Sequence, residues 1–134
     1  MNVKFYHRFL KRSDADSIPH HFLFGAVDLA PYNIKVSFCE DSSLGNRLLR
    51  GIKIAFRIIF SKERFDLLYA SSPNGIELIV LLKCLGLFRK PIVVWQHRAL
   101  KNPSNGISKL FLKFYYSGFS KMIMFSDLHI KETL

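Results

Sequence analysis

Residues 90–100 have the sequence KPIVVWQHRAL, and this stretch decides the fold class of the chain. The apolar, β-branched run at 92–94 is typical of a central parallel strand whose two faces are both covered by helices. Three polar side chains, Gln96, His97 and Arg98, follow where the strand is expected to end. Because ligands of open α/β sheets bind beyond the carboxyl ends of the strands, these side chains are candidates for a functional site.

Strand-like and helix-like segments alternate along the rest of the chain. The predicted strands are 3–6, 34–39, 65–71, a fourth that begins at Ile92, and 122–125. Helices are predicted from Ser17 to just before Pro31, at 45–65, at 76–85 and at 107–119, and Ser126 opens a further helical turn. The sequence therefore predicts one α/β domain, 1–134, with a Rossmann-like, doubly wound, mostly parallel sheet of about five strands.

The composition is that of a compact domain. The 134 residues are 49% hydrophobic and 14% aromatic, which argues against a disordered chain. Cys39 and Cys84 have no CxxC partner, so we expect buried free thiols in a reducing compartment. We expect no signal peptide, and the longest apolar stretch, 76–88, is shorter than the roughly 20 residues that cross a bilayer.

Charge and motifs limit the classes of function. Twenty Lys and Arg against ten Asp and Glu give a formal charge of +10, which favours nucleic acid, acidic lipid or phosphorylated partners. The chain has neither a GxGxxG fingerprint nor a P-loop, and its first strand ends in His7 and Arg8 instead of the acidic residues that hold Mg²⁺ in receiver domains. His20 and His21 are adjacent and diverge on a helix, so we predict no metal site and no cofactor.

The order of these elements resembles the amino-terminal half of a family-4-like, retaining glycosyltransferase of the GT-B fold. The resemblance is carried by NIKV at 33–36, FDLLYAS at 65–71, IVVWQH at 92–97 and KMIMFS at 121–126. These segments are similar to the second, third, fourth and fifth strands of the family, and together the matched elements extend over the whole chain. The family's Gly-Gly loop after the first strand is missing, and its donor-binding second domain has no counterpart in the 134 residues.

The resemblance also implies roles for individual residues. The histidine that ends the family's fourth strand contacts the sugar donor or acceptor, so His97 is assigned as the catalytic residue, although a histidine bonded to a loop carbonyl would look the same in sequence. Substrate-binding candidates lie at three strand ends. They are His7, Arg8, Asn74, Gly75 and Arg98. Arg98 could equally be a solvated loop residue, and Trp95 is expected in the core.

Two basic helices point to a membrane surface. At 100° per residue, one wide apolar face of the 45–65 helix is predicted to cover the sheet, whereas its cations, with Ile54 and Ile58, point outward. The inward set is Leu48, Leu49, Ile52, Ala55, Phe56, Ile59 and Phe60. In the 107–119 helix the predicted inward set is Ile107, Leu110, Phe111 and Phe114, and Leu112, Tyr115, Tyr116 and Phe119 lie elsewhere.

Apolar groups among Lys and Arg are typical of a protein surface that lies on a membrane. The predicted membrane contacts are Arg47, Arg50, Ile54, Arg57, Ile58, Lys109, Leu112, Lys113 and Tyr116. The alternative is a solvated basic face whose apolar residues are buried against a missing domain.

The sequence therefore predicts the acceptor-side half of a glycosyltransferase, inactive alone, in the cytoplasm at the inner face of a membrane. It would move a sugar from a nucleotide-sugar donor, held by a second domain or partner chain, to a glycan or lipid-linked acceptor. The alternative is a non-catalytic subunit that anchors a separate donor-binding chain to the membrane. Nucleic acid is disfavoured as a partner, because the aromatic residues lie on predicted helices and not on a strand platform.

Overall fold

Five parallel strands form one sheet. The computed structural model describes residues 1–7, 25–39, 46–96 and 103–124. The strands are β1 (Asn2–Tyr6), β2 (Lys35–Cys39), β3 (Leu67–Ala70), β4 (Ile92–Gln96) and β5 (Lys121–Met124). Their order is β2-β1-β3-β4-β5, and every neighbouring pair is parallel. The predicted α/β, Rossmann-like fold class is confirmed.

Three helices pack on one side of this sheet, which we call the helical face. They are α1 (Arg47–Ile59), α2 (Glu77–Cys84) and α3 (Gly106–Ser117). The connections β2–β3, β3–β4 and β4–β5 all cross the sheet in the same direction, so right-handed crossovers place their helices on the same side. The β1–β2 connection runs the other way, and its 3₁₀ helix (Val27–Tyr32) contacts β2.

Alternation along the strands divides the core between the two faces. Leu68, Ile92 and Val94 are fully buried on the helical face, and each contributes about 1.5–3 kcal/mol through apolar burial. Val3 and Phe5 point to the other side, where they pack with Tyr69 and with half-buried residues of β4 and β5. The alternation arises because successive side chains of a strand point to opposite faces.

The first residues of the helices agree with those predicted from the sequence better than the last residues do. Asn46 caps α1 by accepting the Leu48 N–H at 3.1 Å, and Asn105 caps α3 by accepting the Ser108 N–H at 2.8 Å. The prediction of one helix over 45–65 was wrong at its end, since α1 stops at Ile59 and the chain turns before β3. The 3₁₀ helix includes Pro31, whereas the prediction ended a helix before it; residues 17–24 lie outside the described ranges.

The predicted orientation of α1 was wrong. Ile54 and Ile58, expected to point outward, are 1% and 0% exposed, and Ala55 is buried beside them. Leu48 and Phe60, expected in the core, are 71% and 70% exposed. The helix has two apolar arcs, and the arc with small and β-branched side chains lets α1 approach the sheet closely, whereas the arc with bulky Leu and Phe stays outside. Ile54 and Ile58 are therefore core residues and do not contact a membrane.

The predicted orientation of α3 was wrong in the same way. Ile107 is 85% exposed, and Leu110, Phe111 and Phe114 are exposed with it. The side that packs against the core carries Tyr115 and Tyr116, and Phe119 follows just beyond the helix. The rings of Phe119 and Tyr115 meet edge to face at a centroid distance of 5.4 Å. The tyrosines suit a position at the rim of the core because the Tyr115 hydroxyl donates to the Pro73 carbonyl at 3.3 Å. Tyr116 and Leu112 are half-buried, so they are not an outward pair.

Candidate functional site

The candidate site is the carboxyl edge of the sheet between the ends of β1 and β3, the position where sheets of this kind bind ligands, and we call it the crevice. After β1 the chain forms β2 on one side of it and then crosses to form β3 on the other side, so the order of the strands reverses between β1 and β3. Ligands of doubly wound sheets bind at such a switch point. Tyr6 pairs with Ala70, so His7 and Ser71 emerge side by side. Val94 pairs with Ala70 on the other side, and the end of β4 therefore borders the same crevice.

The turn after β3 is held by a short set of hydrogen bonds. The Ser71 N–H donates to the Tyr6 carbonyl at 3.0 Å and fixes the turn to the end of β1. The Asn74 N–H donates to Ser72 Oγ at 3.2 Å, and the Gly75 N–H donates to Glu77 Oε2 at 2.7 Å. Serine and glutamate thus occupy two backbone donors that precede α2, where an anion would otherwise be expected to bind.

Glu77 is the site residue that sequence reasoning missed. It is half-buried in the first turn of α2, and its carboxylate folds back to accept the Gly75 N–H of the turn that follows β3. An acidic residue in the first turn of a helix is an ordinary stabilising feature, and this was the signal available in the sequence. A carboxylate at this position disfavours a phosphate ligand and favours a neutral hydroxyl donor.

Gly75 has a packing reason to be glycine. Its φ is +95°, in the region that side chains with a Cβ avoid, and a Cβ placed there would collide with the phenol oxygen of Tyr6. Tyr6 is fully buried, so its ring forms the wall beneath the turn. The predicted substrate contact of Gly75 stays a prediction.

The predicted site residues divide into two groups. His7, which is half-buried, directly follows β1, whereas Asn74, which is exposed, lies with Gly75 in the turn between β3 and α2; all three are therefore at the carboxyl edge of the sheet. Gln96 ends β4 with its side chain buried on the helical face. Arg8, His97 and Arg98 lie outside the described residues, so their predicted roles stay predictions.

The predicted membrane cations lie on α1 and α3. Arg57, Lys109 and Lys113 are exposed, and Arg50 is half-buried. Arg47 begins α1, but its side chain is not described. The exposed side chains of Arg57, Lys109 and Lys113 are compatible with a surface contact.

A second polar cavity lies beside the edge strand β2. It encloses about 450 Å³ between Lys4 and the end of α1, and Arg57 and Lys62 line it. Lys4 is buried in β1, and its Nζ lies 3.0 Å from Glu63 Oε2. This ion pair neutralises the buried cation, which explains how a lysine is tolerated within a strand.

The described ranges contain neither a group of side chains that could hold a metal ion nor a helix that could cross a membrane. Within 1–7, 25–39, 46–96 and 103–124, no group of three His, Cys, Asp or Glu side chains could hold a metal ion. No helix in these ranges is long and apolar enough to cross a bilayer. Cys39 is buried and Cys84 is half-buried, and both are free thiols, with Cys84 Sγ donating to the Phe114 carbonyl at 3.2 Å.

Comparison with protein-family models, curated proteins and solved structures finds no match to this chain. The resemblance to glycosyltransferases therefore rests on the four strand motifs.

Proposed function

We propose that this domain is the acceptor-side half of a GT-B glycosyltransferase that moves a sugar from a nucleotide sugar to a membrane-borne or lipid-linked acceptor. The observation that carries the proposal is the crevice where β1 and β3 end side by side. Two of the motifs that resemble the family end at this edge, since 65–71 contains β3 and 92–97 contains β4. A ligand at this edge would meet side chains from several strand ends at once.

The turn residues favour the acceptor over the donor. A carboxylate offers about four lone-pair positions, so Glu77 can accept from a sugar hydroxyl in addition to the Gly75 N–H. Asn74 is exposed beside it, and its amide can donate and accept. The diphosphate of a nucleotide sugar would be repelled by the Glu77 carboxylate, so the donor belongs on a second half across the crevice.

His97 supplies the catalytic group of the proposal. It follows Gln96, the last residue of β4, and the family's matching histidine contacts the reacting sugars. An imidazole both donates and accepts near neutral pH, and it can therefore orient an acceptor hydroxyl. The resemblance implies transfer with retention and without a metal.

The test uses membranes that contain the full-length protein and a panel of radiolabelled nucleotide sugars, with label counted in the lipid fraction. His97→Ala is expected to lower transfer by about 10²-fold or more, since one well-placed polar contact in a transition state has an effect of that size. Arg89→Ala is the matched control, because Arg89 is exposed before β4, at the opposite edge of the sheet. Absence of label from every nucleotide sugar would contradict the function.

The same experiment distinguishes this function from the alternative, a non-catalytic anchoring subunit of a split glycosyltransferase. In that case His97→Ala leaves transfer at the wild-type rate, whereas deletion of the whole chain abolishes it. Glu77→Gln gives a second measurement within the described crevice. It should raise the KM for the acceptor if the carboxylate binds acceptor hydroxyls.

A further inference from the structure

The outer surface of the helices is unusually apolar. The exposed side of α1 carries Leu48, Leu49, Ile52, Phe56 and Phe60, and the Phe56 and Phe60 rings stack at a centroid distance of 5.5 Å. The exposed side of α3 carries Ile107, Leu110, Phe111 and Phe114. A single exposed leucine needs no explanation, but a contiguous set of this size marks an interaction surface.

One flank of each apolar side faces α2, the middle helix, and together the two sides form what we call the apolar strip; Phe60, at the end of α1, reaches the cavity beside β2. Leu48 and Ile52 line a groove of about 580 Å³ with Leu81 of α2. On the other side of α2, Phe111 and Leu112 line a groove of about 250 Å³ that also includes Leu81. The strip therefore extends from α1 across α2 to α3.

Cations border the strip on both flanks. Lys53 and Arg57 follow the apolar side of α1 around the helix, and Arg57 lies beside the edge strand β2, away from α2. Helical periodicity puts Lys109 and Lys113 on the corresponding far side of α3. Neither 46–61 nor 103–124 contains an acidic residue.

We propose that the apolar strip lies on a membrane that contains anionic lipid, with its Leu and Phe side chains at the acyl boundary and the flanking cations at the headgroup phosphates. Such a surface binds through buried apolar area together with electrostatic attraction. The inference deepens the proposed function and rests on it for the membrane-borne acceptor. Of the contacts that the sequence predicted, Arg57, Lys109 and Lys113 flank the strip, whereas Ile54 and Ile58 are in the core.

Charge selects a bilayer over a second copy of this chain. In a two-fold dimer the same patch meets itself, so Lys53, Arg57 and the α3 lysines would face one another. Neither α1 nor α3 offers an acidic residue to pair with them, and Glu77 of α2 is the acidic residue that lines the grooves of the strip. A nucleic acid would neutralise the cations but would leave the leucines and phenylalanines without an apolar partner. An anionic bilayer satisfies both groups.

The strip also connects with the crevice. In a parallel sheet the crossover helices run opposite to the strands, so α1, α2 and α3 begin at the carboxyl edge. Asn74 and Glu77, which border the crevice, line the groove between α2 and α3. A headgroup that is lifted from the membrane at this end would therefore enter the crevice directly.

The test measures sedimentation of the full chain with vesicles of phosphatidylcholine alone or mixed with phosphatidylglycerol. Binding should require phosphatidylglycerol and should fall as salt rises, because exposed charges are screened beyond about 10 Å at 0.1 M salt. Lys53→Glu with Arg57→Glu should weaken binding at least about tenfold, and Leu48→Ser with Phe56→Ser by a similar factor. Tyr32→Ser is the control, because Tyr32 is exposed on the 3₁₀ helix beside β2, outside the strip.

Equal binding to both kinds of vesicle, or binding that none of the strip variants weakens, would overturn the proposal. So would a concentration-dependent dimer in sedimentation velocity that Phe56→Ser dissociates, since the strip would then be covered by a second copy. Thermal unfolding should be unchanged in all these variants because the side chains are exposed. Sugar transfer to a detergent-dispersed acceptor distinguishes failure of this proposal from failure of the proposed function. Vesicle binding without any transfer would contradict only the glycosyltransferase function. Transfer without vesicle binding would contradict only the membrane-binding role of the strip.

Discussion

Tyr69 and Trp95 form a polar contact within the sheet face opposite the helices. The Trp95 indole N–H donates to the phenol oxygen of Tyr69, and Tyr69 is buried between β1 and β4. Burial raises the pKa of the Tyr69 phenol, because the ionised form would lose its hydration. The same cause raises the pKa of Tyr116. Trp95 is thus part of the core, as its sequence context predicted, and not a platform for a sugar.

The raised pKa of Tyr69 predicts how stability changes at alkaline pH. The folded chain holds this proton to higher pH than the unfolded chain, so the free energy of unfolding is unaffected below about pH 10 and falls above it. Tyr69→Phe should reduce this alkaline fall, and it should cost about 1 kcal/mol near neutral pH because the Trp95 N–H loses its acceptor. Urea unfolding at several pH values measures both effects. An alkaline slope identical to wild type would show that Tyr69 does not titrate with unfolding.

Single residues at the crevice show what the sequence could and could not predict. His7 directly follows β1 and Asn74 lies in the turn after β3, and their predicted substrate contacts stay predictions. The expectation of an anion at the start of α2 did not foresee Glu77, whose carboxylate accepts the Gly75 N–H only because the positive φ of Gly75 turns the chain back. That geometry depends on Tyr6, a residue far away in sequence.

Among the helices and strands, position was easier to predict than orientation. Short apolar runs located all five strands to within a few residues, since such runs have few alternatives to burial in a sheet. Both α1 and α3 carry two apolar arcs, and hydrophobicity alone favoured the wider one as the inner side. Close packing decided the reverse, because Ala55 and Ile58 let α1 lie nearer the sheet than Phe56 would.

Two glycines allow a matched test of the helix layer. A Cβ added at Gly118 would lie 2.7 Å from Val80 Cγ1 and 2.8 Å from Cys84 Sγ, so Gly118→Ala should push the end of α3 from α2 and cost about 1–3 kcal/mol. Gly51 lies inside α1 with nothing within 4 Å of an added Cβ, so Gly51→Ala should stabilise by about 0.5–1 kcal/mol. Thermal unfolding of both variants is the measurement. Wild-type stability of Gly118→Ala would contradict the close contact between α2 and α3.

At the scale of the whole molecule, charge is distributed unevenly. Asp28, Glu63, Asp66 and Glu77 are the acidic residues of the described ranges, and none lies on α1 or α3. Glu63 is paired with Lys4, and the Asp66 carboxylate accepts the Asn2 N–H at 2.7 Å. The outer helices α1 and α3 therefore carry cations without anions, whereas the crevice has Glu77 at its border. This separation suits a domain that meets an anionic surface with one side and neutral hydroxyl groups with another.

The same separation predicts how the 134-residue chain treats nucleotide sugars. Their diphosphates should bind weakly and mainly to surface cations, because the described crevice offers Glu77 where a phosphate would need backbone donors. Calorimetry should therefore give weak binding that fades as salt rises, and inorganic pyrophosphate should compete as well as the nucleotide sugar does. Glu77→Gln removes the repelling carboxylate and should strengthen phosphate binding modestly. If the wild-type chain binds one nucleotide sugar with a preference for its base, and that binding persists at high salt, the donor site lies in this domain and the acceptor-side assignment is wrong.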